Sequence, residues 1–121
     1  MNKTQEQVWN TYGYVRLSHE DGDKEESNSV TGQKDLIRDY LSRYPELREC
    51  GMKVDDGYTG SNFDRPAFQE MMAEVKAGKV NCIVVKDLSR FGRDHLGVGE
   101  YLEQLFPFLG VRFIAINDNY D

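Results

Sequence analysis

The chain has 121 residues, which is enough for one domain with a single hydrophobic core. Its formal net charge of -6 argues against a protein that binds nucleic acid through its overall charge, because phosphate neutralisation needs an excess of Lys and Arg. The apolar runs are short, and the N-terminus lacks the positive start and apolar middle of a secretory signal. We therefore expect one soluble, cytoplasmic domain over residues 1–121.

The first predicted strand, in YGYVRLSHED, ends in residues that are unusual for a core. Side chains alternate between the two faces of a strand, so one face carries Tyr12, Tyr14, Arg16 and Ser18. A guanidinium and a hydroxyl thus point the same way near the end of the strand. The acidic stretch that follows, HEDGDKEES, has no apolar periodicity and predicts a mobile, solvated loop.

Two amphipathic helices surround the next predicted strand. The first begins after Ser29, a good capping residue, and ends at Pro45. Its apolar residues recur at helical spacing: Ile37, Tyr40, Leu41 and Tyr44. GMKVDDGYTGSNFD predicts a short strand and a loop, and the second helix begins around Pro66 and ends at Gly78. One face of this helix is apolar: Phe68, Met71, Met72 and Val75.

The second half of the chain predicts a buried strand, a helix and a last strand. VNCIVV, residues 80–85, is continuously apolar, as is typical of a strand that helices cover on both faces. A third helix from about His95 has one apolar side: Val98, Tyr101, Leu102 and Leu105. VRFIAI, residues 111–116, supplies the last strand. The order β-α-β-α-β-α-β predicts an α/β fold with an open, mostly parallel sheet flanked by helices.

Arginines follow three of the predicted strands. In open α/β sheets, the loops at the carboxyl ends of the strands build the functional site. Arg16 ends the first strand, Arg65 follows the second, and Arg90 and Arg93 follow the buried strand. Because Arg90 and Arg93 are three residues apart, they point the same way if that turn is helical. Four guanidiniums can then converge with the Ser18 hydroxyl.

A phosphate is the natural occupant of such a cluster, because guanidiniums repel one another and bind phosphate oxygens with a planar fork. If the Ser18 hydroxyl attacks the phosphorus, the arginines stabilise the charge that a metal ion stabilises in other phosphoryl-transfer enzymes. No carboxylates with metal-ligand spacing lie near these positions, so we expect neither a metal nor a cofactor. Cys50 and Cys82 have no metal or redox spacing and predict reduced, buried thiols.

Other interpretations of these residues stay open. A serine at a strand end is most often a loop residue that makes a hydrogen bond. His19 suggests a Ser-His pair, but neighbours in a strand face opposite ways, and we expect His95 at the surface. Asp55, Asp56 and Asp64 could ligate a cation, although Asp beside Gly and Asn is also usual in turns. The alternative functions are a non-catalytic module that binds a phosphorylated ligand and a phosphohydrolase, for which no water-activating residue is evident.

Four segments resemble the catalytic domain of serine recombinases: YVRLS, DDGYTGSNFDRPAFQEMM, VNCIVVKDLSRFGRD and LGVRFIAINDNYD. The similarity runs from about Tyr12 to the end of the chain, and it is greatest to the large serine recombinases of mobile elements such as conjugative and mobilisable transposons. The resemblance implies a resolvase-like catalytic domain. The implied function is site-specific recombination of DNA that excises or inserts the element.

The resemblance also implies roles for individual residues and partners. Ser18 is the nucleophile that forms a phosphoserine link to DNA. The residues that match the rest of the family's active site are Arg16, Arg65, Arg90, Arg93 and Gln33. The implied partners are DNA, at the element ends and the target site, and further copies of the protein, from a dimer to a tetramer at full length. No membrane, metal or high-energy cofactor is implied.

The chain departs from the family pattern at several places. Small resolvases and invertases carry Asp where this chain has Ser89, and many carry Lys where it has Glu74. Family members also continue into a long interface helix and DNA-binding domains. Such regions would supply DNA affinity to an acidic catalytic domain whose own arginines surround the scissile phosphate. We expect this domain alone to bind DNA poorly and not to recombine it.

Overall fold

The computed structural model describes residues 7–18 and 28–121, so the predicted acidic loop HEDGDKEES, which includes His19, lies outside the described ranges. The strands are β1 (Trp9–Leu17), β2 (Leu47–Asp56), β3 (Cys82–Val85) and β4 (Arg112–Ala115). The α-helices are α1 (Val30–Ser42), α2 (Pro66–Lys76), α3 (Leu88–Phe91), α4 (His95–Gly99) and α5 (Phe106–Leu109). A π-helical segment (Glu100–Leu105) joins α4 to α5, and a 3-10 turn (Ile116–Asp118) follows β4.

The four strands form one parallel sheet in the order β2-β1-β3-β4, which confirms the predicted α/β class. Since all strands run the same way, their carboxyl ends share one edge of the sheet. β2 is longer than the short strand that the sequence predicts, because it pairs with β1 from Trp9 to Leu17. The register shifts after Thr11, beside Gly51, whose φ of 150° suits an irregular strand position.

The predicted alternation along β1 divides the core into two clusters on opposite faces of the sheet. Tyr14 belongs to the cluster that contains α2, and Val15 to the cluster that contains α1. The predicted apolar face of α2 is buried: Phe68, Met71, Met72 and Val75. The opposite cluster takes Ile37 and Leu41 from α1. β1 is therefore covered on both faces, and its end is held between two helices.

The predicted helix ends are confirmed in part. The Ser29 hydroxyl accepts a hydrogen bond from the Gly32 amide at 2.9 Å, as expected of a cap. α1 ends at Ser42, so Tyr44 lies beyond it. The third predicted helix begins at His95, which is exposed as expected. Its continuation with π-helical geometry is not indicated by the sequence, because a period of 3.6 describes its apolar residues equally well.

Only one of the two cysteines is buried. Cys82 lies in the core on β3, whereas Cys50 lies on the edge strand β2 and is exposed, so the predicted burial of Cys50 was wrong. Both thiols are free. In the part of the chain that the structure describes, no helix is long and apolar enough to cross a membrane.

Candidate active site

Ser18 follows β1 at the carboxyl edge of the sheet and is 3% exposed. The strand end beside it is held by Gln33, a fully buried residue in the first turn of α1. The Gln33 Nε2 donates to the carbonyl of Arg16 at 2.9 Å and to that of Asn28 at 2.8 Å, and its Oε1 accepts from the Arg16 amide at 3.4 Å. Gln33 thus joins α1 to the backbone two residues before Ser18.

Arg16 is fully buried, and its guanidinium donates to three backbone carbonyls. Nε contacts the carbonyl of Arg90 at 3.1 Å, and Nη1 contacts that of Tyr58 at 3.1 Å. Nη2 donates to the carbonyl of Ser89. The carbonyls come from the loop after β2 and from α3, so this side chain ties both loops to the end of β1.

Arg16 and Arg90 each donate a side-chain hydrogen bond to the backbone carbonyl of the other. The Arg90 guanidinium, which is nearly buried, donates from Nη1 to the Arg16 carbonyl at 3.0 Å. Asp87, the capping residue of α3, places Oδ1 at 3.7 Å from the Arg90 Nε. The two predicted arginines at the ends of β1 and β3 are therefore direct neighbours.

Arg93 is placed differently from Arg90. Gly92 is extended, with φ 179° and ψ 161°, so the helical turn that would direct both side chains the same way ends at Phe91. Arg93 is exposed, whereas Arg90 is buried. An open polar groove of about 500 Å³ lies beside it, lined by Thr59, Ser61, Arg93 and Asp94. Arg93 is the predicted arginine that solvent can reach.

Gly60 separates Arg16 from Arg93. Its carbonyl accepts a hydrogen bond from the Arg93 amide at 2.8 Å. A Cβ at this position would lie 2.7 Å from the Arg16 Nη2 and 3.0 Å from the Arg93 Cδ. The Arg16 guanidinium is fixed by its carbonyl contacts and cannot yield easily. Only a residue without a side chain fits here, and the sequence interpretation did not identify this role.

Arg65 lies deeper, in aromatic surroundings, and is 1% exposed. Its Nε donates to the carbonyl of Asn62 at 3.0 Å and its Nη2 to that of Phe91 at 2.7 Å. The guanidinium carbon is 4.7 Å from the ring centroid of Phe63, within the range of a cation-π contact. Arg65 therefore joins the loop before α2 to the end of α3, one residue after Arg90.

Asp55, which the sequence suggests as a cation ligand or a turn residue, is instead a buried member of this network. Its carboxylate accepts from the Tyr14 hydroxyl at 2.8 Å and from the amides of Ala67 and Phe68, each at 2.9 Å. The Tyr14 hydroxyl also accepts from the Arg65 Nη1 at 3.0 Å. Burial raises the pKa of Tyr14 above its ordinary value, because a buried phenolate would lose its hydration. One sequence signal existed: Arg in the capping position of α2 cannot accept a hydrogen bond, so the helix needs an acceptor from elsewhere.

The structure places Arg90 and Gln33 each in direct contact with Arg16, two residues before Ser18. Arg93 lies across Gly60 from this group, and Arg65 reaches it through α3. The three buried guanidiniums donate to backbone carbonyls, which supply negative dipoles where like charges would otherwise repel. Within the described ranges, no three His, Cys, Asp or Glu residues are grouped to hold a metal ion.

Comparisons with known proteins agree with the observed fold. The family model described as "Resolvase, N terminal domain" matches residues 11–121. The N-terminal catalytic domain of TP901-1 integrase has a TM-score of 0.80 at 20% identity, over 91% of this chain and 78% of that chain. A resolvase family site-specific recombinase from Streptococcus pneumoniae has a TM-score of 0.73 at 29% identity, over 93% and 75%. The C-terminal catalytic domain of ISC1926 TnpA, an IS607-like serine recombinase, has a TM-score of 0.72 at 22% identity, over 88% and 67%. The chain thus belongs to the resolvase family and carries the catalytic-domain fold of serine recombinases.

Proposed function

We propose that this chain is the catalytic domain of a site-specific DNA recombinase that cleaves and rejoins DNA through Ser18, during excision and insertion of a mobile element. The observation that carries the proposal is the position of Ser18 at the carboxyl edge of β1, two residues after Arg16, which is bonded to Arg90. Membership of the resolvase family supports DNA as the substrate. The likeness to an IS607-like recombinase supports a mobile element as its source.

In the proposed reaction, the Ser18 Oγ attacks the phosphorus of a DNA phosphodiester. A bond from phosphorus to Oγ forms while the bond from phosphorus to one deoxyribose oxygen breaks. The serine gives up its proton, and the sugar leaves as a hydroxyl after gaining one. Rejoining reverses these steps with the hydroxyl of another strand. Because the phosphoserine keeps the energy of the broken ester, the cycle needs no high-energy cofactor.

The arginines have different parts in this proposal. We assign Arg93 to direct contact with the scissile phosphate, and its exposure beside a polar groove supports this role. We assign Arg16 and Arg90 to stabilising the charge on the non-bridging oxygens of the phosphate. Arg65 would hold α3, which carries Arg90, in place through its hydrogen bond to the Phe91 carbonyl. Such preorganised charge is the main source of catalysis in reactions of this type. Gln33 keeps the end of β1 in register with the nucleophile.

The same mechanism accounts for the proposed partners. One serine attacks one strand, so cutting both strands of two duplexes needs four copies of the domain. We therefore propose that the full-length protein acts as a tetramer assembled from dimers. Since the domain is acidic overall, its affinity for DNA would come from regions outside it.

A nicked DNA substrate that traps the cleaved strand tests the proposal in the full-length protein. We expect a protein-DNA band on a denaturing gel, with and without EDTA, that Ser18→Ala abolishes. Ser42→Ala is a matched control, because Ser42 is an exposed serine at the end of α1 whose hydroxyl donates to the Asp39 carbonyl. Specific DNA binding without any covalent band would contradict the proposal and favour a module that binds phosphate without attacking it.

A further inference from the structure

The carboxylate of Asp87 contacts two residues of α3. Its Oδ1 accepts a hydrogen bond from the Ser89 hydroxyl at 2.5 Å and from the Arg90 amide at 3.3 Å. The same oxygen lies 3.7 Å from the Arg90 Nε. Asp87 therefore caps the short helix and also faces a guanidinium whose side chain is only 5% exposed.

Among the described residues, three groups lie close to the nitrogens of the Arg90 guanidinium. The Arg16 carbonyl lies at Nη1, the Asp87 carboxylate lies at Nε, and the Ser89 hydroxyl is 3.4 Å from Nη2. Because the Ser89 hydroxyl donates to Asp87, its lone pairs remain available to the guanidinium. Ser89 thus acts as a bridge between the carboxylate and Arg90. Among ion pairs between described residues, Asp87 is the acidic partner of Arg90.

We propose that Asp87 is the positioning residue for Arg90. Small resolvases carry an Asp carboxylate where this chain has Ser89, and in this chain Asp87, two residues earlier, supplies that carboxylate. A guanidinium this deeply buried needs a nearby negative charge, since removing an ion from water is costly. The carboxylate fixes the side chain in the orientation that faces the end of β1. The inference rests on the proposed function, because it concerns the arginine that stabilises the phosphate at Ser18.

The capping role and the charge of Asp87 can be separated by mutation. Asn caps helices about as well as Asp, so Asp87→Asn keeps an acceptor for the Arg90 amide and removes only the charge. Asp118 offers a matched control. Its Oδ2 accepts from the Leu88 amide at 2.7 Å, so it caps the same helix from the turn after β4.

The experiment measures the rate of covalent adduct formation by the full-length protein on nicked DNA, with DNA affinity measured separately. We expect Asp87→Asn to slow adduct formation by about tenfold to a hundredfold, the scale on which a misplaced catalytic group slows an enzyme. DNA affinity should not change, and Asp118→Asn should keep nearly the full rate. In the Asp87→Asn background, Ser89→Asp should restore most of the rate, because residue 89 already reaches the Arg90 Nη2.

The outcomes separate this inference from the function on which it rests. An unchanged rate in Asp87→Asn would overturn the inference while the wild-type adduct still supports the Ser18 nucleophile. A slow variant that Ser89→Asp does not restore would also overturn it, because the loss would then belong to the cap. If the wild-type protein forms no adduct, the proposed function itself fails.

Discussion

Tyr14→Phe removes one buried hydroxyl that connects Arg65 to the end of β2. The hydroxyl donates to the Asp55 Oδ2 at 2.8 Å and accepts from the Arg65 Nη1 at 3.0 Å. All three side chains are at most 2% exposed. Phenylalanine keeps the ring, which packs edge-on against Phe68, so the variant loses the two hydrogen bonds without a large cavity.

The size of the effect follows from what remains after the substitution. A hydrogen bond to a charged group contributes about 1.5–3 kcal/mol. Asp55 keeps two amide donors at the start of α2, and Arg65 keeps the carbonyls of Asn62 and Phe91. Since neither charge loses all its partners, we expect the free energy of unfolding to fall by about 2–4 kcal/mol. Adduct formation in the full-length protein should also slow, because Arg65 loses one of its fixed contacts.

Urea unfolding of the 121-residue chain, followed by circular dichroism, measures the loss of stability. Tyr101→Phe is the control, because Tyr101 has a partly buried ring in the same core cluster and no hydroxyl hydrogen bond to a described residue. Its free energy of unfolding should change by less than about 0.5 kcal/mol. An equal loss in the two variants would refute the argument, since the Tyr14 hydroxyl would then contribute nothing specific.

Two further predictions concern other buried positions. Gly60→Ala should slow adduct formation without changing DNA affinity, because its Cβ would lie 2.7 Å from the Arg16 Nη2. Gly99→Ala is the control and should keep the wild-type rate, because the nearest atom to its Cβ would be 3.9 Å away. Similar rates in the two variants would contradict the close approach at Gly60. Burial raises the pKa of the Cys82 thiol from its ordinary value near 9 to about 11. As the pH rises, the thiol of the unfolded chain loses its proton before the buried thiol does, and this favours the unfolded state. The free energy of unfolding should therefore be highest below pH 9 and should fall by about 2–3 kcal/mol as the pH rises to 11. Urea titrations across this range should show a smaller decline in Cys82→Ala, and equal declines would argue against this titration.

The sheet and the helix faces could be predicted because their signals are local. Alternation along β1, the apolar face of α2 and the Ser29 cap each depend on residues a few positions apart. Such patterns follow from the geometry of a strand or a helix alone. The family motifs added Gln33 to the candidate site residues, which no periodicity could have supplied.

The contacts within the site could not be predicted, because they depend on tertiary packing. The Arg16 guanidinium meets the Tyr58 carbonyl 42 residues away, and no local pattern indicates that acceptor. Asp55 appeared in the sequence as a turn residue, yet it caps α2 from the end of β2. The difference between Arg90 and Arg93 depends on the extended backbone of Gly92, which the spacing of the arginines does not indicate.

Mass spectrometry of the trapped adduct tests the central claim most directly, that the Ser18 Oγ forms a bond to DNA phosphorus. The full-length protein is incubated with nicked DNA, and the covalent product is digested with protease and nuclease. We expect a nucleotide on Ser18 in the wild-type protein and no adduct in Ser18→Ala. A nucleotide on another residue, or cleavage that persists in Ser18→Ala, would contradict the claim.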